Sequence, residues 1–323
     1  MPHMGHIPPF YLSIALAYGI TLAAWPILKA KGWIGAVGSA IAAVAVMLCP
    51  ALIPPEKVVG RALAAFVCAD PFFKMIDYAR YCRTAGAGRA GEYFRFLIPF
   101  PVLLVVFGER DRGLPARAAV GPEVARVIVG TILSATCLLA VMSGTVGIRW
   151  SFALDHAIKL VVFVVFIESA SQVAYGIERL AGYGNRPLIS SCFLARTPAE
   201  FWWRYNTRVH RWLEMNVFRP VGGRRAPVRG VLVTFFASAI LHELAFGLAT
   251  SRLDGYQFTF FMIQAPAALI STNLERFARR TGRVGDAAVR VLTVFWMYAT
   301  SMLFFQGADR IFPFIYASDP WLP

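Results

Sequence analysis

The sequence predicts an all-α, polytopic integral membrane protein, and three observations carry that prediction. Of its 323 residues, 58% are hydrophobic and only 15% are charged, where soluble domains carry roughly a quarter. The hydrophobic residues run in long blocks, several close to the ~20 residues that a membrane-spanning helix needs. Most of these blocks lack the polar stripe of a soluble core helix.

Taken in order, the clearest spans are residues 9–28, 33–53, 126–148, 152–175, 231–250, 256–275 and 289–307. The opening "MPHMGHIPPF" has neither the basic start nor the small-residue cleavage site of a signal peptide, so the first block reads as a retained span. Two segments are ambiguous. Residues 58–73 are interrupted by Asp70 and Pro71, and residues 94–108 carry Pro99 and Pro101. Both suit re-entrant or interfacial elements, because irregular backbone is tolerated at depth where protein covers it. The expectation is seven full spans plus two partial ones, and nine if both partial ones cross. With no repeat or flexible linker, residues 1–323 read as one membrane-embedded domain.

The net charge of +14 comes mostly from arginine. Residues 179–229 hold ten arginines, and residues 275–290 hold five against two acids. Two spans separate these stretches, so both fall on one side, and the positive-inside rule makes that side the cytoplasm. The "SRLDGY" turn then faces outward. Orientation and anionic headgroups account for this charge, and no basic region stands apart as a nucleic-acid module. The expected location is a multi-pass protein of a bacterial inner membrane or its equivalent. The five cysteines have no C-x-x-C spacing, so neither a disulfide framework nor a metal site is expected.

Between two greasy regions lies "TPAEFWWRYNTRVHRWL", residues 197–213. Thr197, Pro198 and Glu200 form a helix start with a capping box. A helix running from there to about Met215 places Arg204, Arg208 and Arg211 on one face and Trp202, Val209 and Leu213 on another. That is the pattern of an amphipathic interfacial helix. Asn206 falls within its apolar stripe, four residues after Trp202 and three before Val209. It must find partners there, on a neighbouring helix or in a polar chamber, or sit unsatisfied at roughly 1–3 kcal/mol.

A second signal is "FFASAILHELAFGL", residues 235–248. The rise from Val231 puts His242 about 16 Å along its span, near mid-membrane. An ionisable group at that depth marks a functional site by default, although a neighbouring helix can also satisfy it. "HELAF" lacks the second histidine of a zinc protease motif, and no G-x-S-x-G elbow supports a serine triad. General-base work on a hydroxyl fits a lone imidazole better. Glu243 points some 100° away around the helix and suits pairing with another span.

Together, Phe201, Trp202 and Asn206 in "FWWRYN", His242 and Glu243 in "LHEL", their order, and the 36 residues from Asn206 to His242 resemble the membrane-bound O-acyltransferase family. The wax-synthase branch is the most similar, with "FRP" at residues 218–220 and a comparable chain length. The specific resemblance covers residues 185–250. It implies transfer of an acyl group from acyl-CoA to a hydroxyl, with His242 as the general base. Asn206 would then position the donor or stabilise the oxyanion. No resident cofactor is implied; acyl-CoA is the donor substrate. Trp202, Trp203, Arg204 and Arg208 become candidates for substrate binding, and Arg211, Arg224 and Arg225 for coenzyme A phosphates. The acceptor is either a long-chain alcohol or other lipid, or a specialised metabolite or glycan that takes a short acyl group.

The span 152–175 adds Asp155, His156, Lys159, Glu168 and Gln172. Glu168, Gln172 and Tyr175 share a face and are candidates for an acceptor tunnel or for interhelical hydrogen bonds. His156 falls near the outer end, where a headgroup contact is expected. His210 is a secondary candidate beside Asn206. The alternative from another class is a proton-coupled transporter that relays through Glu168 and His242. The paired broken helices and repeats of that class are not found here.

Overall fold

In a computed structural model, residues 8–86, 88–97, 106–108, 119–144 and 151–316 are described. They are helical, with no strand among them. By internal contacts the chain forms two compact units, Met1–Glu109 with Ile240–Gly255, and Arg110–Ala239 with Tyr256–Pro323.

The first unit contains α1 (Pro9–Ala23), α2 (Trp25–Lys29), α3 (Gly32–Leu48), α4 (Val58–Ala85) and α5 (Ala90–Leu97). Here α1 and α3 pack against each other and against α4. The structure revises the reading of residues 58–73. Asp70 and Pro71 do not interrupt the helix; both are buried inside α4, which runs on to Ala85 and is not among the helices apolar enough to cross a membrane. The charge is tolerated because Lys74 Nζ lies 2.9 Å from Asp70 Oδ2, one turn away. Further along, Asp77 accepts from Arg80 at 2.8 Å and from the backbone N–H of Phe107 at 2.6 Å. Of the second ambiguous segment, α5 covers its beginning, and residues 98–105 lie outside the described residues.

The second unit contains α6 (Val120–Met142), α7 (Phe152–Leu180), α8 (Pro198–Tyr205), α9 (Thr207–Leu213) and α11 (Tyr256–Ile311). A further helix, α10 (Pro227–Thr250), gives its first part to this unit and its last part, with His242, to the other. Two predicted spans fall in α11, which is two helices meeting at Gly282, where φ is +67°. Only a glycine adopts that conformation without penalty. Among the described residues, five helices are long and apolar enough to cross a membrane: Gly32–Leu52, Val120–Met142, Phe152–Leu180, Pro227–Thr250 and Tyr256–Ile311. The first predicted span, residues 9–28, is divided between the shorter apolar α1 and α2. The protein is an all-α, multi-pass integral membrane protein.

Small residues bring α6 and α7 together. A Cβ on Gly130 would stand 2.9 Å from the Ser169 carbonyl oxygen, and one on Gly176 would stand 3.1 Å from that of Glu123. Close backbone approach through small residues is how helices associate in lipid, where no hydrophobic force draws them together.

Candidate functional site

The second unit builds its polar centre around a linker rather than around a single helix. Residues 186–191 have their backbone groups bonded by the elements on either side. Along α7, Ser171 Oγ accepts from the Ile189 N–H at 2.8 Å, and Glu168 Oε1 accepts from the Ser191 N–H at 2.9 Å. From the other side, the Thr207 N–H donates to the Leu188 carbonyl at 2.8 Å, and its hydroxyl donates to that of Pro187 at 2.6 Å. The Ser190 N–H donates to the Arg204 carbonyl, and Arg204 Nη1 returns a bond to the Ser190 carbonyl at 3.1 Å. Buried backbone must be paired, and here the pairing ties α8 and α9 to α7.

The motif helix starts as its sequence dictates. Thr197 Oγ1 accepts from the Glu200 N–H, and Glu200 Oε2 reaches back to the Arg196 N–H at 2.9 Å. Burial raises the Glu200 carboxyl, but the Arg196 backbone bond and the guanidiniums of Arg204 and Arg196 outweigh it. The group sits below its ordinary range, as suits an acid in the first turn of a helix.

The expectation of one helix reaching Met215 is corrected. The helix breaks at Asn206, with φ −148° and ψ 86°. Its Oδ1 accepts from the Val209 N–H at 3.0 Å, so the asparagine caps α9. Asparagine prefers this position, because its side-chain carbonyl satisfies a first-turn N–H that a helix cannot bond internally. With Oδ1 committed to the backbone, Nδ2 makes no hydrogen bond among the described residues.

Trp202 packs into an aromatic cluster, with its ring 5.8 Å from Phe235 and 5.4 Å from Phe261. Trp203 is 44% exposed, and the Arg204 guanidinium lies 5.9 Å above its ring. Arg208 does not share the arginine face that the helical spacing implied. Breaking the helix turns it inward, where it is buried and forms a double hydrogen bond with Glu178, also buried, at the end of α7. Its Nε also donates to the Arg186 carbonyl at 2.9 Å. Gln172 Oε1 accepts from Arg126 at 2.6 Å. His210 lies exposed on α9.

His156 is a further correction. It is 0% exposed, so no headgroup reaches it. Its Nδ1 bonds the Tyr316 hydroxyl, and its Nε2 meets Ser301 Oγ at 3.0 Å. Beside it, Lys159 pairs with Asp155 at 2.7 Å. Its place near a span end gave no sign of this, because the partners lie 145 and 160 residues away.

His242 stands half-buried on α10. Neighbouring Glu243 bonds the turn that follows α10. Its Oε1 accepts from the Gly255 N–H at 2.7 Å, which fastens the turn after α10. The second unit therefore gathers Asn206, Trp202, Trp203, Arg204, Arg208, Glu168 and Gln172, while His242 and Glu243 belong to the first. Sequence reasoning missed Glu178 and Ser171, since contacts 30 and 18 residues distant leave no periodic trace. Cys192 lies beside Glu168, but burial pushes its thiol up to about 12, which removes it as a nucleophile at neutral pH. No group of three His, Cys, Asp or Glu able to hold a metal occurs among the described residues.

A profile of the membrane-bound O-acyltransferase family matches residues 128–308, more than half of the chain. Diacylglycerol O-acyltransferase 1 of Corylus americana is 29% identical over 124 residues, which are 38% of this chain and 22% of that protein. Probable sterol O-acyltransferase 2 of Schizosaccharomyces pombe is 30% identical over 129 residues, 40% of this chain and 26% of that protein. Diacylglycerol O-acyltransferase 1 of Bos taurus is 28% identical over 138 residues, 42% and 26% respectively. The chain thus spans about a quarter of the length of the curated relatives it matches.

Proposed function

Because this chain belongs to the membrane-bound O-acyltransferase family, we propose that it moves an acyl group from acyl-CoA to the hydroxyl of a lipophilic acceptor. The observation that carries the reading is the state of Asn206. Its carbonyl is fixed by the Val209 N–H, which orients the carboxamide and leaves an N–H donor for a ligand. A donor held in place before reaction is what a developing oxyanion requires.

In this reading His242 takes the proton from the acceptor O–H as its oxygen attacks the thioester carbon. A tetrahedral intermediate forms, and its oxyanion accepts from Asn206 Nδ2. The intermediate collapses with cleavage of the carbon–sulfur bond, and the coenzyme A thiolate leaves and takes up a proton. The apolar surround of Trp202 limits access of water, which would otherwise hydrolyse the thioester. Exposed Arg224 and Arg225, with Arg204 and Arg211, suit the phosphates of a cytosolic polyanion. Arg208 supports the site from beneath through Glu178. Glu168 and Gln172 hold the linker and α6, and an acceptor would pass along their face of α7. The relatives are named for diacylglycerol and sterol acceptors. The "FRP" and "FWWRYN" stretches suit a long-chain alcohol of the wax-ester kind, and a specialised metabolite that takes a short acyl group stands beside it as the other acceptor. The motif helix faces the cytoplasm, and residues 1–323 act as one domain.

The test is transfer by purified protein in detergent, given radiolabelled palmitoyl-CoA or acetyl-CoA and a panel of alcohols. Wild type yields labelled ester. His242→Ala yields none while eluting and melting like wild type. Normal transfer by that variant removes His242 from the chemistry, and no ester from wild type with any pair sinks the reading.

A further inference from the structure

Gln257 sits in the first turn of α11 and is 1% exposed. Its Nε2 donates to the Phe304 backbone carbonyl at 2.9 Å. That bond settles which end of the carboxamide points where. It leaves Oε1 buried without a hydrogen-bond partner among the described residues. Native chains seldom keep a buried carbonyl oxygen that lacks a donor, and each case calls for an explanation.

The surroundings are aromatic. Phe260 and Phe261 follow on the same face of α11, three and four residues on. The Phe260 ring lies 5.5 Å from that of Phe304 and 5.9 Å from that of Trp202. The Trp202 indole N–H, in the same cluster, is also buried and unpartnered. Gln257, one turn before Phe260 and Phe261 on α11, offers an acceptor that lacks a donor, and the cluster offers a donor that lacks an acceptor. A hydroxyl supplies both functions, and an alkyl chain matches the rings around it. The expected transferase uses neither group for its proton transfer, so the pair is left for recognition.

We infer that Gln257 is a specificity residue that receives a lipophilic alcohol. The alcohol O–H donates to Gln257 Oε1, its chain lies among Phe260, Phe261 and Phe304, and Trp202 Nε1 offers the further polar contact. The choice of an alcohol rests on the acyl-transfer reading; the binding assignment is tested apart from it. Water also satisfies a lone buried oxygen, but it shows no preference for a hydroxyl-bearing chain over its alkane.

The experiment photolabels the purified full chain with a sixteen-carbon primary alcohol that carries a diazirine and an alkyne. A matched alkane without the hydroxyl is run in parallel, and the labelled peptides are read by mass spectrometry. The alcohol should label peptides containing Tyr256–Gln264 about tenfold more than the alkane, the worth of one buried hydrogen bond. Gln257→Met should erase that preference, and Gln257→Glu, assayed at a pH low enough to keep the buried carboxyl protonated so that its O–H donates to the Phe304 carbonyl and its other oxygen accepts, should retain it. Equal labelling by alcohol and alkane in wild type overturns the inference, as does a preference that survives Gln257→Met. The wild-type comparison needs no variant, so poor folding of Gln257→Met does not shield the claim. Ester formation is scored separately. Hydroxyl-dependent labelling without ester counts against the enzymatic reading alone, and ester without such labelling counts against Gln257 alone.

Discussion

Asn206 serves two demands with one carboxamide, and substitutions separate them. Its Oδ1 caps α9 through the Val209 N–H, a role that serine and aspartate fill almost as well. The proposed oxyanion contact needs the Nδ2 donor, which aspartate lacks and a serine side chain is too short to replace. Asn206→Ala should therefore lose about 1 kcal/mol of stability as well as transfer. Asn206→Asp should recover the melting temperature and leave transfer at least a hundredfold down, the usual scale for a lost oxyanion donor. Thermal unfolding and single-turnover rates on both variants decide the matter. A variant that regains activity together with stability would reduce Asn206 to a cap. The sequence made the residue conspicuous, because an amide on an apolar stripe demands an explanation. It did not reveal the cap, since the spacing of Trp202, Val209 and Leu213 suits an unbroken helix just as well.

The motif elements hold their place through contacts distant in sequence. Arg208 and Glu178 are both buried and joined by two hydrogen bonds. They fasten the start of α9 to the end of α7, while the linker bonds of Ser171 and Glu168 fasten the segment before α8. Removing one partner of a buried ion pair strands the other charge, at roughly 3–5 kcal/mol, whereas replacing both with apolar groups is often near neutral. Arg208→Met alone should sharply lower the melting temperature in detergent, and Arg208→Met with Glu178→Leu should recover most of the loss. Additive effects of the two substitutions would mean that the pair is not coupled. The recovered double variant should also show a lower kcat with little change in the KM for acyl-CoA, since it loosens the seat of Asn206 rather than a donor contact. The spans were legible because apolar blocks need only local reading. This clasp was not, for an arginine three residues from another reads as one more member of a basic face until the break at Asn206 turns it inward. The buried Asp70–Lys74 pair misled in the same way. A charge that looks like the end of a span is satisfied one turn on, and α4 continues.

Across the whole chain, charge placement makes a prediction that the helices alone do not. Residues 179–229 carry ten arginines and residues 275–290 carry five. Between them lie α10, which is long and apolar enough to cross, and the first part of α11, where the sequence predicts a span over residues 256–275, joined by a short turn at Ser251–Gly255. Two crossings would return the chain to the side it left, so the expectation is that the two basic stretches share a side and the turn lies opposite. Lysine and arginine are retained on the cytoplasmic side during insertion, and the proposed acyl-CoA donor would meet its arginines there. Single cysteines at the exposed Arg224 and Asp254, placed in a cysteine-free background, test this with a membrane-impermeant maleimide. In intact cells the label should reach Asp254→Cys and not Arg224→Cys, and in inside-out vesicles the pattern should reverse. Labelling of both from one side would mean that α10 and α11 do not form a pair of crossings. A reversed pattern would put the motif helix outside, away from cytosolic acyl-CoA, and the enzyme would then need a donor from the other side of the membrane.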